Sequence, residues 1–323
     1  MTAPSAPREK ILVIKLSALG DFLVALGPMA AIRKHHPGAH ITLMTTRPFA
    51  DMAQRSRYAD AVEVTRRARF YEIGAWLHML RFLNSGFDRV YDLQLNDRSA
   101  VYFRLMRKKP FWCGTVRGAS DNYAAENPDW REMHAFDRHK IMLARHGIDV
   151  TPPDVGWMET DISLLAPKEA YVMLIPGCAP QHPYKRWPAA KFAALALKLQ
   201  HQGYTVCLIG TAAEQDAIAK IKRVAPECHD LSGRTSLYDI ASLAAGAAAA
   251  VGNDTGPSHL IALTGCPLVA LFSGVTDPSR SAPLGAAVTV IQSEDISDIS
   301  TEDVMKALRP RTISRSAQNG ATA

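Results

Sequence analysis

Cysteine is sparse and scattered: Cys113, Cys178, Cys207, Cys228 and Cys266 form no CxxC pair, and their number is odd. That pattern argues against a disulfide framework or a structural zinc site, and it fits reduced thiols in a cytosolic protein. No run of 18 apolar residues occurs, so no membrane-spanning helix is expected. The opening MTAPSAPREK has no apolar stretch before a cleavage site, which argues against a secretory signal. GxGxxG and the Walker A loop are both missing, which weakens a dehydrogenase and a P-loop NTPase. Aromatic residues do not alternate with basic ones in a stacking pattern, so nucleic acid is a disfavoured partner.

What remains is an ordinary globular composition. Of 323 residues, 47% are hydrophobic and 21% charged, enough for two domains at about 150 residues each. The charge is unevenly divided. Residues 1–150 carry 23 Lys/Arg against 15 Asp/Glu, a balance of +8; residues 151–323 carry 14 against 16, a balance of −2. An anionic partner is expected to meet the first half.

Strand and helix patterns alternate twice. Lys10–Leu16, His40–Thr45, Val62–Thr65 and Arg89–Leu95 read as strands, with helices at Phe22–His36, Tyr71–Asn84 and His134–His146. Pro152-Pro153 and a Gly/Asn/Asp-rich stretch suggest a boundary near 150–168. Tyr171–Ile175, Thr205–Ile209, Ala247–Val251 and Pro267–Phe272 then read as strands, with helices between and after them. Two α/β halves with parallel sheets follow, residues 1–160 and 161–309, with 310–323 as a small polar tail. Ligands of such sheets gather beyond the carboxyl ends of the strands, and between two of them a cleft is expected.

Four strand-end loops carry chemistry. Ser17-Ala18-Leu19-Gly20-Asp21 follows the first strand; Asp21 there is either a helix cap or a carboxylate base. Gly252-Asn253-Asp254-Thr255-Gly256-Pro257-Ser258-His259 follows a strand of small residues, and its helix start suits a phosphate. Thr255 and Ser258 add hydroxyls, whereas His259 alone reads more simply as a packed helix residue. The Pro-rich segment 176–188 brings Lys185 and Arg186 to a sheet edge, where a cation can meet leaving-group charge. Glu214, in Gly210-Thr211-Ala212-Ala213-Glu214, suits a ribose diol or simply a helix start. A basic cluster, Arg66-Arg67-Ala68-Arg69, follows the third strand and suits an anionic acceptor. Arg107-Lys108-Lys109 reads as plain surface or as membrane-proximal charge.

Together these loops resemble glycosyltransferase family nine, the ADP-heptose:lipopolysaccharide heptosyltransferases. The resemblance lies in ILVIKLSALGD at 11–21, PG…KRWP at 176–188, GTAAE at 210–214, GNDTGPSHL at 252–260 and LFSGVTDPSR at 271–280. It implies a GT-B fold: two Rossmann-like domains facing a central cleft, acceptor on the first and nucleotide sugar on the second. It implies inverting transfer without a metal or other cofactor, ADP-sugar being the donor substrate. By position in the motifs, Asp21 resembles the family's base and Lys185 the lysine at the donor phosphates. Glu214, Asp254, Thr255 and Gly256 resemble donor-binding residues, with Ser258 and His259 beside them. Arg66, Arg67 and Arg69, with Ser17 and Gly20, fall on the acceptor side. The acceptor implied is an anionic lipid-linked glycan, placing the enzyme in the cytoplasm, peripheral on the inner leaflet. Another nucleotide sugar, or a nucleotide-sugar epimerase of the same fold, remains an alternative. The segment APQHPY, 179–184, is richer in proline than the hydroxyl-bearing stretch often seen there.

Overall fold

The computed structural model describes residues 8–66 and 71–312, and the chain divides into two compact units, Met1–Pro153 and Asp154–Ala323. In the first unit the strands are β1 (Lys10–Ile14), β2 (His40–Thr45), β3 (Ala61–Val64), β4 (Arg89–Asp92), β5 (Phe111–Gly114) and β6 (Asp121–Asn122). They form one parallel sheet in the order β3-β2-β1-β4-β5-β6. Its helices are α1 (Leu19–His35), α2 (Ala50–Arg55), α3 (Ile73–Leu83), α4 (Asp97–Leu105), α5 (Tyr123–Glu126) and α6 (Ala135–Ala144). β1 is buried from Ile11 onward, as a central strand covered on both faces must be.

The second unit repeats the plan. Strands β7 (Tyr171–Ile175), β8 (Thr205–Leu208), β9 (His229–Asp230), β10 (Ala249–Asn253), β11 (Leu268–Ser273) and β12 (Val288–Ser293) are again parallel. Their order is β12-β11-β10-β7-β8-β9. Helices α7 (Ala189–His201), α8 (Gln215–Val224), α9 (Leu237–Gly246), α10 (Gly256–Leu263), α11 (Pro278–Ser281) and α12 (Thr301–Ala307) accompany them. Trp187, Phe192, Leu195 and Leu199 pack into the core beside Val172 and Leu174 of β7.

Counted within each unit, both sheets run 3-2-1-4-5-6, the order of Rossmann folds. The winding direction reverses between β1 and β4, and again between β7 and β10. Ligands of such sheets sit beyond the strand ends at that reversal.

Several element limits differ from the sequence expectation. The strand from Arg89 stops at Asp92, because Asp92 Oδ1 accepts the N–H groups of Gln94 and Leu95, both at 3.0 Å, and turns the chain. The first helix begins three residues early, at Leu19, which puts Asp21 inside its first turn. Strands β5 and β12 were not legible; β12 is a half-exposed edge strand with no apolar run. Of the expected tail, residues 313–323 lie outside the described residues. Arg311 donates to the carbonyls of Ala244, Ala245, Ala247 and Ala248 around the end of α9. No helix among the described residues is long and apolar enough to cross a membrane.

Candidate active site

At the reversal point of the second unit, Asn253 ends β10 with its side chain fully enclosed. Its Nδ2 donates to the carbonyls of Pro176 (2.9 Å) and Gly177 (3.3 Å), and its Oδ1 accepts the N–H of Trp187 at 3.0 Å. One amide thus binds both ends of the proline-rich loop. Trp187 anchors that loop further, donating Nε1–H to Ile299 O at 2.9 Å. Lys185 stands just before this anchor, in a short turn over Pro183–Lys185. Its ammonium meets Asp254 Oδ2 at 2.6 Å, with side-chain exposures of 20% and 8%. The two residues, 69 apart in sequence, are therefore one charged element with Lys185 still open to solvent.

Asp254 is itself fixed by its N–H to Leu271 O at 3.0 Å. Thr255 precedes α10 in extended conformation, and its side chain makes no capping bond. Pro257 stands second in the helix, where it removes one N–H. The N–H groups the turn can offer to an anion are those of Thr255 and Gly256. Ser258 is fully buried, and its hydroxyl donates to Asn253 O at 2.7 Å, supporting the turn from beneath. His259, one step further, is also buried.

Glu214 closes a short turn after β8, accepting from Thr211 N at 2.8 Å and Thr211 Oγ1 at 2.7 Å. It lies against the start of the proline-rich loop: a Cβ on Gly177 would fall 2.5 Å from Glu214 Cγ. Only glycine leaves room for that carboxylate. Lys185, Asp254 and Glu214 thus surround the carboxyl end of β7 and its neighbours.

In the first unit the reversal point carries Asp21. The carboxylate is exposed, and Ala18 N–H donates to its Oδ2 at 3.4 Å. Ser17 is exposed, and Gly20 is the second residue of α1. Gln94, from the loop after β4, accepts from Leu16 N (2.7 Å) and Ser17 N (3.2 Å) and ties the two strand-end loops together. Beneath them lie three buried titratable groups, Lys15, Asp92 and His139. Burial pushes the Asp92 carboxyl up to about 6 and the His139 ring down to about 3.

These two shifts act oppositely on stability. His139 stays neutral in the fold, so stability is lost as pH falls below the unfolded value near 6.5. Asp92 holds its proton more tightly folded than unfolded, so it adds stability as pH falls from about 6 towards 4. The two offset each other between pH 6 and 4. In His139→Gln the loss disappears while the Asp92 gain remains. Relative to that variant, the parent protein should lose about 2 kcal/mol between pH 6.5 and 5. Urea unfolding at both pH values measures this, and parallel pH slopes would refute it.

A cavity of about 800 Å³ lies at the carboxyl ends of β2 and β3, lined by Thr46, Arg47, Thr65, Arg66, Trp76 and Arg98 among others. Arg66 is exposed and paired with Glu72 at 2.5 Å. Arg98 donates to Tyr102 OH at 2.6 Å and Thr65 Oγ1 at 3.4 Å. Arg67 and Arg69 lie outside the described residues. Sequence reasoning missed Arg98 and Arg47, whose only signal is their place just after β4 and β2. Elsewhere among the described residues, Cys113, Asp121 and His146 come together as possible metal ligands. There Arg145 already supplies a cation, meeting Asp121 Oδ1 at 2.8 Å.

Two Rossmann-type sheets, with an exposed carboxylate at the switch point of one and a cation–anion turn at that of the other, are the architecture of a GT-B glycosyltransferase. Residues 76–308 match the family described as Glycosyltransferase family 9 (heptosyltransferase). The chain belongs to this family. It is 27% identical over 309 residues to a lipooligosaccharide heptosyltransferase 2 of Haemophilus influenzae, covering 87% of this chain and 88% of that one. Among solved structures, a family 9 glycosyl transferase of Veillonella parvula superposes with a TM-score of 0.74 at 22% identity, covering 93% and 95% of the two chains. The ADP-heptose heptosyltransferase II of Escherichia coli gives 0.69 at 23% identity, covering 92% and 97%.

Proposed function

We propose that this protein is an inverting, metal-independent heptosyltransferase that moves heptose from ADP-heptose to a lipopolysaccharide core. The observation that carries this reading is the Lys185–Asp254 pair at the phosphate-suited turn of the second unit. The names of its relatives, lipooligosaccharide and lipopolysaccharide heptosyltransferases, supply the sugar and the glycan.

In this reading the donor diphosphate lies on the second unit. Lys185 and the N–H groups of Thr255 and Gly256 take up the charge that builds on the leaving ADP. Glu214 turns from Thr211 to the ribose hydroxyls, with Ser258 and His259 holding the turn. The acceptor lies on the first unit, its anionic groups met by Arg66 and its neighbours Arg67 and Arg69, and by Arg47 and Arg98 at the cavity. Ser17 and Gly20 shape the approach to Asp21. Asp21 takes the proton of the acceptor hydroxyl, whose oxygen attacks the anomeric carbon from the face opposite the diphosphate. One bond to oxygen forms as another breaks, and the configuration inverts. The acceptor's lipid places the enzyme at the cytoplasmic face of the inner membrane, held peripherally.

The test is incubation of purified protein with ADP-heptose and a panel of truncated lipopolysaccharide cores, with mass spectrometry of the products. A heptose mass added to one core supports the function; no added mass on any core defeats it. An epimerase would alter the donor without an acceptor. The Glu214 role has its own check. Gly177→Ala displaces the Glu214 side chain and should raise the donor KM about tenfold, the cost of one charged hydrogen bond. The fold should be kept, and an unchanged donor KM would remove Glu214 from the donor site.

A further inference from the structure

The transfer step leaves the basic run Arg107-Lys108-Lys109 unused. Lys109 serves the fold: its ammonium caps the end of α4, donating to Phe103 O at 2.5 Å and Met106 O at 2.6 Å. Arg107 and Lys108 are exposed. Asn84, just past α3, fixes where they stand. Its Nδ2 donates to Leu80 O at 2.7 Å and Leu105 O at 3.2 Å, and its Oδ1 accepts the Arg107 N–H at 2.7 Å. The carboxyl ends of α3 and α4 are thus tied together.

The outward faces of these two helices share one pattern. Along α3, Ile73, Leu77 and Arg81 recur four apart, all exposed. Along α4 and just past it, Val101, Arg104 and Lys108 do the same. Each face runs from apolar to cationic. Both helices cross over between parallel strands, so both begin at the carboxyl edge of the sheet, where the cavity opens. The apolar ends gather there, and Arg81 lies about 12 Å behind Ile73 along the helix axis. Ten large apolar side chains are exposed among the described residues, and five of them, Val64, Tyr71, Ile73, Leu77 and Val101, belong to this region. Such a concentration marks a contact surface. Of the carboxylates nearby, Glu63 and Glu72 each hold a basic partner, His78 at 2.7 Å and Arg66 at 2.5 Å, and Asp97 is followed by Arg98.

We propose that this surface docks on an anionic lipid bilayer, the apolar ends of α3 and α4 entering the headgroup boundary while Arg81, Arg104, Arg107 and Lys108 meet lipid phosphates behind them. An apolar tip with a cationic band behind it is the division a bilayer imposes: interfacial segments bury apolar side chains about 5–10 Å deep, and long basic side chains reach back to the headgroups. The inference rests on the reading above in one respect, that the acceptor's lipid lies in this bilayer. The mouth of the cavity then opens on the leaflet that holds the acceptor.

The test is co-sedimentation of the full chain with vesicles of phosphatidylethanolamine and phosphatidylglycerol, and with neutral phosphatidylcholine vesicles. The parent should bind the anionic vesicles and bind the neutral ones more weakly. Ile73→Ser/Leu77→Ser should weaken binding about tenfold or more, from lost apolar burial. Arg107→Gln/Lys108→Gln should weaken it about tenfold at low salt, each cation being attracted separately. All four side chains are exposed, so the thermal midpoints should match the parent. Transfer to an acyl-free core in solution should be unchanged in both variants, whereas KM for the same core held in vesicles should rise. A parent that stays in the supernatant overturns the proposal, as does binding that either pair of substitutions leaves unchanged. A parent dimer that Ile73→Ser/Leu77→Ser splits also overturns it, since the surface would then join two copies. Vesicle binding needs no substrate. If it falls in both variants while ADP-heptose adds no mass to any core, the docking surface stands and the glycan reading fails.

Discussion

Asp21→Ala should lower heptose transfer about a thousandfold while leaving ADP binding unchanged. General-base catalysis contributes about a hundred- to ten-thousandfold, and Asp21 stands as the one exposed carboxylate of the first turn of α1. The donor turn belongs to the other compact unit, from Asp154 onward, so ADP affinity reports independently on folding there. Titration calorimetry with ADP and an assay of product mass make the two measurements. Turnover within tenfold of the parent would refute the base assignment. Asp21→Asn sharpens the result, because it retains shape and the acceptor of the Ala18 N–H while losing basicity. A loss as deep as that of the alanine variant ties the effect to the proton rather than to the helix start.

The second large effect is expected at Lys185. Lys185→Ala should reduce kcat/KM about a hundredfold or more, the usual consequence of removing one group that meets developing negative charge. It should also weaken ADP binding. A structural complication arises, because Asp254 is left with 8% side-chain exposure and no ammonium beside it. Loss of the partner of a buried charge is costly, about 2 kcal/mol here once the partial exposure of Lys185 is allowed for. The double variant Lys185→Ala/Asp254→Asn separates the two effects. Its thermal midpoint should recover most of the loss, while its activity should stay low. Recovery of activity together with stability would mean that Lys185 serves the fold alone.

The central strands were legible because parallel strands covered on both faces must be apolar throughout, as in KILVI and YVMLI. The short edge strands β6 and β9 were not, since two residues show no periodicity. Nor was β12, half exposed at its sheet's edge. The loops with chemistry were visible as polar punctuation after those strands. Their partnerships were not. Lys185 meets Asp254, and Gln94 meets Leu16, only because the sheet order sets β7 beside β10 and β1 beside β4. The same order buries Lys15, one residue past β1, at the end of β4 where Asp92 stands, a proximity no local pattern encodes. Ser258 shows the converse. Its hydroxyl fits a phosphate by motif position, yet the geometry turns it inward to Asn253 O.

Asn253 has a consequence for what this position tolerates. Its amide gives two bonds to carbonyls and receives one from an N–H, so its polarity is directional. An aspartate of equal size would face the Pro176 and Gly177 carbonyls with oxygen, and a leucine would leave all three backbone groups stranded. Histidine and glutamine differ in reach. The lysine's placement thus depends on a residue that never approaches the sugar, and the chemical alphabet at that site is close to a single letter.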